Sequence, residues 1–233
     1  MQQETAVVTV KTLLLTDLVD STSLVEKLGD RNADRVFRRH ERIARDLLRQ
    51  HHGIEIDKSD GFLLVFNRPL DAVNYALNYH LSLKKLSDDV GLEIKARAGI
   101  HRGELILRKN DPTDVARGAK PKEAEGLAEP TAARLMSLAL PRQLLLSRGA
   151  FDLARRAAVG EEPGLGKLEW LNHGAYQFKG IEDPVEPCCR YSRRAIVDTE
   201  GMTVQRECHQ DVQKYLFPCS FDSALNGAFS PDA

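Results

Sequence analysis

The sequence opens with an alternating and then continuous apolar run, AVVTVKTLLL, which predicts a buried β-strand over residues 6–15. The polar segment 16–22 that follows predicts a turn. Apolar residues then recur every three or four positions from 31 to 50, which is the spacing of one face of a helix. Asp30 stands where the N-cap of this helix would be, and Gly53 follows its end. The N-terminal part therefore predicts a strand, a turn and a long amphipathic helix.

Strand-like and helix-like segments continue along the chain without regular alternation. The predicted strands lie at 54–56, 62–66, 92–107 (interrupted at Gly99 and Gly103), 143–147, 168–171, 176–178 and 185–191. The predicted helices lie at 70–86, 130–140 and 150–158, and 108–122 is predicted to be a loop. Polar turns predict one hairpin between 54–56 and 62–66, and another between 168–171 and 176–178. This mixture favours an α+β domain.

The periodic pattern fades near residue 196. We therefore expect residues 1–195 to form one domain and residues 196–233 to form a poorly ordered tail or linker. A domain of this length can bury a proper core without disulfide or metal cross-links.

Charge and cysteine content narrow the class of protein further. The 33 Lys and Arg residues nearly balance the 34 Asp and Glu residues, whereas a general nucleic-acid binder usually has a basic surface. The four cysteines include no C-x-x-C pair, so a structural zinc site is disfavoured. No apolar run approaches the roughly 20 residues that span a bilayer. We expect no nucleic-acid partner, no membrane association and a cytoplasmic location.

Two carboxylates stand next to buried strands. Asp17 follows the first predicted strand, and Asp60 lies in the turn that precedes the strand 62–66. A carboxylate at the end of an apolar strand is costly unless it is paired or binds a cation, and hard divalent ions prefer oxygen ligands. In the alternative interpretation both residues are ordinary turn residues, which spacing alone favours because Asp-Gly turns are common.

Five segments, which follow one another along the chain, favour the metal-binding interpretation over the turn interpretation. They are LLLTDLVDSTSLVEKLGD, SDGFLLVF, KARAGIHRGEL, EGLAEPTAARLMSLA followed by RQLLLS, and YQFKGIEDPVEPCCR. Together they span about residues 7–193 and resemble the successive motifs of class III nucleotidyl cyclase catalytic domains. The resemblance implies a ferredoxin-like-related sandwich with helices packed on a mainly antiparallel sheet. It also implies a phosphorus–oxygen lyase that makes a 3′,5′-cyclic nucleotide and pyrophosphate from a nucleoside triphosphate.

The same resemblance implies site residues. Asp17 and Asp60, with Leu18 beside them, would hold two divalent metal ions, Mg²⁺ or Mn²⁺. Arg134 would stabilise charge at the α-phosphate, and Lys179 would reach the terminal phosphate. The backbone that follows Leu18 would cradle the other phosphates through its N–H groups, which assigns a substrate-binding role to Val19, Asp20, Ser21 and Thr22.

This sequence departs from the family pattern at three places. The family usually has Gly where Asp20 stands and a ribose-positioning Asn where Pro130 stands. The hairpin before Asp60 is about one residue short, so the family's purine-recognising position aligns with either Asp57 or Lys58.

Base preference depends on which of the two residues aligns. Lys58 together with Glu123, the second base-recognition position, would suit adenine. Asp57 would suit the N1–H and N2–H₂ donors of guanine. The single-residue deletion preserves strand pairing and favours GTP over ATP, and a pyrimidine triphosphate is a further alternative.

Family sites form between two protomers, so the resemblance implies a homodimer. The rival hypotheses are a degenerate cyclase-like domain that binds nucleotide or a partner without turnover, and a polymerase-like phosphoryl transferase. The first is motivated by Pro130 and Asp20. The second is disfavoured by the GIHRGE and KG motifs.

Overall fold

The computed structural model describes residues 8–59, 61–159, 168–176, 178, 181 and 184–192. The strands are β1 (Val8–Leu18), β2 (Ile54–Lys58), β3 (Gly61–Phe66), β4 (Ala96–Lys109), β5 (Lys122–Glu125), β6 (Leu144–Ser147), β7 (Leu168–Asn172) and β8 (Pro187–Ser192). The helices are α1 (Ser21–Leu28), α2 (Asp30–Gln50), α3 (Pro69–Val90), α4 (Pro112–Ala116), α5 (Ala128–Leu138) and α6 (Arg148–Ala157).

One mixed sheet organises the described part of the chain. Its strand order is β2-β3-β1-β4-β6-β8-β7, and β5 pairs with β4 beside this path. Every strand pairing in the described residues is antiparallel except that of β4 with β6. The α+β class and the mainly antiparallel sheet predicted from the sequence are therefore confirmed.

Helices cover the two faces of the sheet unequally. On one face, apolar side chains of α2, α3 and α6 pack with alternate residues of the central strands in the largest core cluster. On the other face, α5 packs over β1 and β4 through Ala128 and Ala132. Leu15 and Leu63 are only partly buried on this α5 face. The α5 face is thus the more open of the two.

Glycine allows α5 to approach the sheet closely. A Cβ on Gly99 in β4 would lie 2.3 Å from the backbone nitrogen of Met136 and 2.4 Å from the carbonyl oxygen of Ala132. The sequence predicted an interruption of the strand at Gly99, but β4 runs through it without a break. The glycine therefore marks a helix-packing contact instead of a chain reversal.

Two other predictions differ from the structure. The segment 16–22, predicted as a turn, contains the end of β1 and the first residues of a short helix, α1, which fills the gap before α2 and whose few apolar residues give weak periodicity. The predicted hairpin of 168–171 with 176–178 is wrong: β7 pairs with β8, and Tyr176 forms an isolated bridge with Val185. The predicted loop 108–122 contains the short helix α4 and the first residue of β5.

The remaining expectations concern cysteines, membranes and the tail. Cys188 and Cys189 are buried thiols in β8. No helix in the described residues is long and apolar enough to cross a bilayer. Residues 196–233 lie outside the described residues, and the tail stays a prediction.

Gly61 is the position where the fold should tolerate substitution least. A Cβ there would lie 1.6 Å from the carbonyl oxygen of Thr16, so β3 would have to separate from β1. We expect Gly61→Ala to lower the free energy of unfolding by about 3 kcal/mol, measured by urea denaturation. Gly149→Ala is the matched control, because nothing lies within 4 Å of its added Cβ. Equal stability of the two variants would contradict this packing.

Candidate active site

Asp17 is the central residue of the candidate site. It lies one position before the end of β1, opposite Gly61 of β3 and Arg97 of β4. Its side chain is on the α5 face, since alternate residues of a strand share a face and Leu13 and Leu15 pack there. Its Oδ2 accepts hydrogen bonds from Nε of Arg97 at 2.9 Å and from Nη2 at 2.7 Å. An internal cation therefore compensates this half-buried carboxylate.

Arg97 is a site residue that the sequence analysis did not single out. Besides its bidentate contact with Asp17, its Nη1 donates to the carbonyl oxygen of Ser137 at 3.3 Å, in the last turn of α5. It therefore connects the end of β1 to α5. The register of Arg97 opposite Asp17 could have been proposed only after β1 and β4 had been paired.

The second predicted metal ligand, Asp60, lies outside the described residues. Its neighbour Gly61 pairs with Asp17, and the backbone N–H of Ser59 donates to the Gly61 carbonyl at 3.1 Å. The tight contact of Gly61 with the Thr16 carbonyl fixes the start of β3 against the end of β1. The chain on either side of Asp60 is thus fixed next to Asp17.

The N-terminus of α1 provides backbone donors beside the same strand end. α1 begins at Ser21, and no side chain in the described part of the protein caps it. The first N–H groups of a helix lack intrahelical partners and favour anions. The N–H of Val19 donates to the carbonyl oxygen of Lys95 at 2.9 Å and is already used. Ser21 and Thr22 are therefore the best placed of the predicted phosphate-binding residues.

The backbone of Asp20 adopts a conformation that Gly, the residue implied by the resemblance at this position, would adopt readily. Its φ of 55° and ψ of 35° lie in the left-handed region, which Asp tolerates better than most residues with a side chain. Asp20 is exposed and lines a small cavity of about 170 Å³ together with Lys27 and Lys95. Leu18, Ser21 and Thr22 line a different cavity.

That second cavity has a volume of about 730 Å³, within the range of small-molecule sites. Its wall includes Lys58 and Ser59 as well as the start of α1 and part of α2. The acidic side chains that line it are Glu26, Asp30, Asp34 and Glu41. The four carboxylates outnumber the single lysine, so this cavity suits a cation or a metal-bound phosphate better than it suits a phosphate without a metal ion.

A β-bulge in β2 lies just before Asp57 and Lys58. The β2–β3 register shifts between Glu55 and Asp57, after which Asp57 opposes Leu63 and Lys58 opposes Phe62. Leu63 packs on the α5 face, whereas Phe62 belongs to the core cluster under α2 and α3. Asp57 therefore shares the α5 face with Asp17, and Lys58 points to the opposite face.

The ion pairs of Asp57 and Lys58 agree with their positions on opposite faces of the sheet. Nζ of Lys58 lies 2.7 Å from Oε1 of Glu41 on α2. Nζ of Lys120, in the segment before β5, lies 2.7 Å from Oδ2 of Asp57. The hydrogen bond from Lys58 is the main cause that lowers the pKa of Glu41.

Glu123 is held on the β4–β5 hairpin. It opposes Arg108, whose Nη2 contacts Oε2 of Glu123, and Nδ2 of Asn110 donates to its Oε1 at 2.9 Å. These hydrogen bonds, first that of Asn110, lower the pKa of Glu123. Both of its oxygens are thus occupied within one protomer, and its predicted base contact stays a prediction.

Arg134 is exposed on α5. No described residue makes an ion pair or hydrogen bond with its guanidinium, so the side chain is available to a ligand or a second protomer. Pro130 lies in the first turn of the same helix, where a missing N–H costs no intrahelical hydrogen bond. Lys179 lies outside the described residues, and its role stays a prediction.

Two of the three residues predicted to hold metal ions, Asp17 and Leu18, lie in the described part of the chain. Within the described residues, no group of three or more His, Cys, Asp or Glu side chains is arranged to hold a metal ion. Asp60 is not one of the described residues. The carboxylate of Asp17 nevertheless fits a cation, because a guanidinium already occupies one of its oxygens. Leu18, the residue after Asp17, lines the larger cavity.

A buried hydrogen-bonded network lies beneath the site. The hydroxyl of Tyr79 is 2.6 Å from Nε2 of His40 and shares a hydrogen bond with Thr16. Oγ1 of Thr16 accepts from the N–H of Phe62 at 3.1 Å. The network joins α2 and α3 to the β1–β3 pair next to Asp17. Burial lowers the pKa of His40 to about 4.

Several solved structures have a fold similar to that of this chain. The chain aligns with the adenylyl cyclase CyaB from P. aeruginosa at a TM-score of 0.68 and 16% identity, covering 81% of this chain and 98% of that one. It aligns with the guanylyl cyclase Cya2 at 0.65 and 20% identity, covering 80% and 94%. The guanylate cyclase domain of RhGC from Catenaria anguillulae, in complex with GTP, gives 0.64 and 15% identity, covering 79% and 97%.

These structures define the fold of the chain as that of class III adenylyl and guanylyl cyclase catalytic domains. The fold implied by the five sequence motifs is thereby confirmed. No protein-family model matches the sequence, and no curated protein matches it significantly.

The His40 network predicts a loss of stability in acid. The pKa of His40 is lower in the folded protein than its ordinary value of 6.5, so protonation favours the unfolded state. Its contribution to stability is complete above about pH 6.5 and declines as the pH falls towards 4, by at most about 1.4 kcal/mol per pH unit.

Urea denaturation at several pH values from 7.5 to about 4 measures this loss. His40→Gln keeps a polar partner for Tyr79 but cannot titrate, so the free energy of unfolding should depend less steeply on pH in this variant. An identical pH dependence in the two proteins would contradict the burial of a neutral His40.

Proposed function

We propose that the protein is a nucleotidyl cyclase that converts a nucleoside triphosphate to its 3′,5′-cyclic monophosphate and pyrophosphate. The observation that carries this proposal is the position of Asp17. It lies one residue before the end of the interior strand β1 on the open α5 face, pairs with the residue after Asp60, and accepts hydrogen bonds from Arg97. Its neighbour α1 offers uncapped N–H donors to phosphate.

The reaction forms one bond and breaks one. The ribose 3′-oxygen attacks the α-phosphorus, the bond from that phosphorus to the bridging oxygen breaks, and pyrophosphate leaves. The hydroxyl proton is released. Two divalent ions, Mg²⁺ or Mn²⁺, would lower the pKa of the hydroxyl and neutralise the triphosphate, and Asp17 and Asp60, with Leu18 beside them, would hold them.

The protein's own groups bind and orient the triphosphate. N–H groups of Ser21 and Thr22 at the start of α1 donate to phosphate oxygens. Arg97 has two roles in this scheme. Its guanidinium stabilises the carboxylate of Asp17, and it would be available to contact the phosphates when Asp17 holds a cation. Lys179 is proposed to reach the terminal phosphate.

Arg134 acts on the developing charge at the α-phosphate. Its guanidinium is exposed and has no partner among the described residues, as expected of a side chain that acts across an interface. We infer a homodimer in which Arg134 of one protomer serves the Asp17 site of the other. The partly exposed Leu15 and Leu63 on the α5 face provide apolar surface for such an interface.

The bulge in β2 supports a proposal for the base preference. Because Asp57 faces the α5 side and Lys58 is paired with Glu41 on the other side, the geometry supports an acidic residue in the base pocket. An ionised carboxylate accepts hydrogen bonds, so it suits the N1–H and N2–H₂ of guanine. We propose GTP as the preferred substrate, with ATP, CTP and UTP as the alternatives to be compared.

Pro130 favours a second candidate function. It has no side-chain donor at the position where the related motifs place a ribose-positioning Asn. Poor positioning of the ribose would leave nucleotide binding intact while slowing cyclisation. The second candidate is therefore a nucleotide-binding domain with little or no turnover.

The shared site predicts complementation between two inactive variants. Asp17→Ala and Asp60→Ala should each abolish cyclic product, and Arg134→Ala should reduce turnover by about a hundredfold with little change in nucleotide binding. When the Asp17→Ala and Arg134→Ala proteins are mixed and allowed to exchange subunits, half of the dimers should carry one intact site. Cyclisation should then recover to about a quarter of the wild-type rate.

Mixing Asp17→Ala with Asp60→Ala is the matched control. Both changes disable the same half of the site, so the mixed dimer contains no intact site and should stay inactive. Equal recovery in both mixtures, or none in the first while subunit exchange is demonstrated, would contradict a site shared between Asp17 and Arg134.

A further inference from the structure

We propose that Lys120 is a base-recognition residue, which together with Asp57 contacts the Watson–Crick edge of the bound base. This inference rests on the proposed function, because it concerns the base pocket of the same site. The sequence pattern predicts only a loop over residues 108–122, the segment that contains Lys120.

The contact between the two residues carries the inference. Nζ of Lys120 lies 2.7 Å from Oδ2 of Asp57, and the side chains retain 52% and 34% exposure. An ion pair this exposed contributes little to stability, so it can open readily when a ligand binds. One carboxylate oxygen and the remaining N–H donors of the ammonium stay available to a ligand.

The segment that carries Lys120 is held in place by Asn110. The backbone N–H of Asn110 donates to the carbonyl oxygen of Pro121 at 3.2 Å. Its Nδ2 donates to the carbonyl oxygen of Lys120 at 2.8 Å and to Oε1 of Glu123 at 2.9 Å. The backbone of Lys120 is therefore fixed, while its ammonium extends to Asp57.

The orientation of Glu123 strengthens the assignment. Leu107 and Ala124 oppose each other across β4 and β5 and pack towards the α5 face, so the next pair along, Arg108 and Glu123, points the other way. The side chain that reaches Asp57 from this part of the chain is Lys120. Glu123 acts on the pocket through Asn110, as a positioning residue.

A second carboxylate gives the cluster an excess of acceptors. Glu129, in the first turn of α5, interacts electrostatically with both Lys120 and Asp57, and burial raises its pKa. The cluster thus combines two acidic groups with one ammonium at the start of the helix that carries Arg134.

Guanine complements this set best. Its N1–H and N2–H₂ donate to carboxylate oxygens, and its O6 accepts from an ammonium. Adenine presents a single amino donor beside an acceptor nitrogen, and so satisfies fewer of the groups. Lys120 therefore confers selectivity through O6, and Asp57 through the neighbouring donors.

The test measures binding without turnover. The full-length protein is titrated with the 3′-deoxy forms of GTP and ATP, which lack the attacking hydroxyl, in competition with a fluorescent nucleotide and with Mn²⁺ present. We expect Lys120→Ala to weaken 3′-deoxy-GTP binding about tenfold, the effect of losing a hydrogen bond to a charged group, and to leave 3′-deoxy-ATP binding within about twofold. Lys120→Arg should restore most of the preference.

Lys122→Ala is the matched control, since Lys122 is two residues away in β5 and makes no ion pair with any described residue. It should leave both affinities unchanged. Equal weakening of the two nucleotides by Lys120→Ala, no weakening of either, or a wild-type protein that binds neither nucleotide would overturn the inference. A protein that binds 3′-deoxy-GTP through Lys120 yet forms no cyclic product from GTP would instead refute the proposed activity alone.

Discussion

The candidate site depends on one electrostatic constraint: the carboxylate of Asp17 lies half-buried at the end of the central strand and needs a cation beside it. Two neighbouring strands hold it there, because β1 pairs with β4 along its whole length and with β3 from Thr12 to Asp17. The fold supplies that cation as Arg97, directly opposite in β4. A cation-compensated carboxylate next to uncapped helix donors is an arrangement that suits a metal-bound triphosphate.

The sheet register distributes the remaining charges between two faces. The bulge after Glu55 turns Asp57 to the α5 face and leaves Lys58 paired with Glu41 on the other. One extra residue in β2 therefore decides which of two adjacent, oppositely charged side chains enters the proposed base pocket. The same face has little helical cover beyond α5, which is why we assign it to the interface with a second protomer.

The secondary-structure elements that could be predicted are those whose hydrophobic pattern lies within one continuous stretch of the sequence. The periodicity of α2, the β2–β3 hairpin and the long helix α3 were all predicted within a few residues of their observed bounds. α1 was missed because eight residues with few apolar positions carry little periodicity. The pairing of β7 with β8 was predicted wrongly, because a hairpin between neighbouring segments was assumed where the chain makes a longer connection.

The residues of the candidate site also differ in whether the sequence alone could indicate them. The motif around Asp17 and the exposed Arg134 could be recognised from sequence, since each belongs to a contiguous pattern. The partners Arg97 and Lys120 could not, because their contacts with Asp17 and Asp57 join residues 80 and 63 positions apart in the chain. The left-handed backbone at Asp20 was equally hidden, although Gly, the residue implied by the resemblance at this position, would adopt it readily.

The measurement that tests the central claim most directly is product analysis with each of the four nucleoside triphosphates. The purified protein is incubated separately with ATP, GTP, CTP and UTP in the presence of Mg²⁺ or Mn²⁺, and products are identified by mass spectrometry. The account predicts 3′,5′-cyclic GMP and pyrophosphate from GTP, with less product from the other three. A confirmed dimer that forms no cyclic nucleotide from any of them, with metal present, would contradict it.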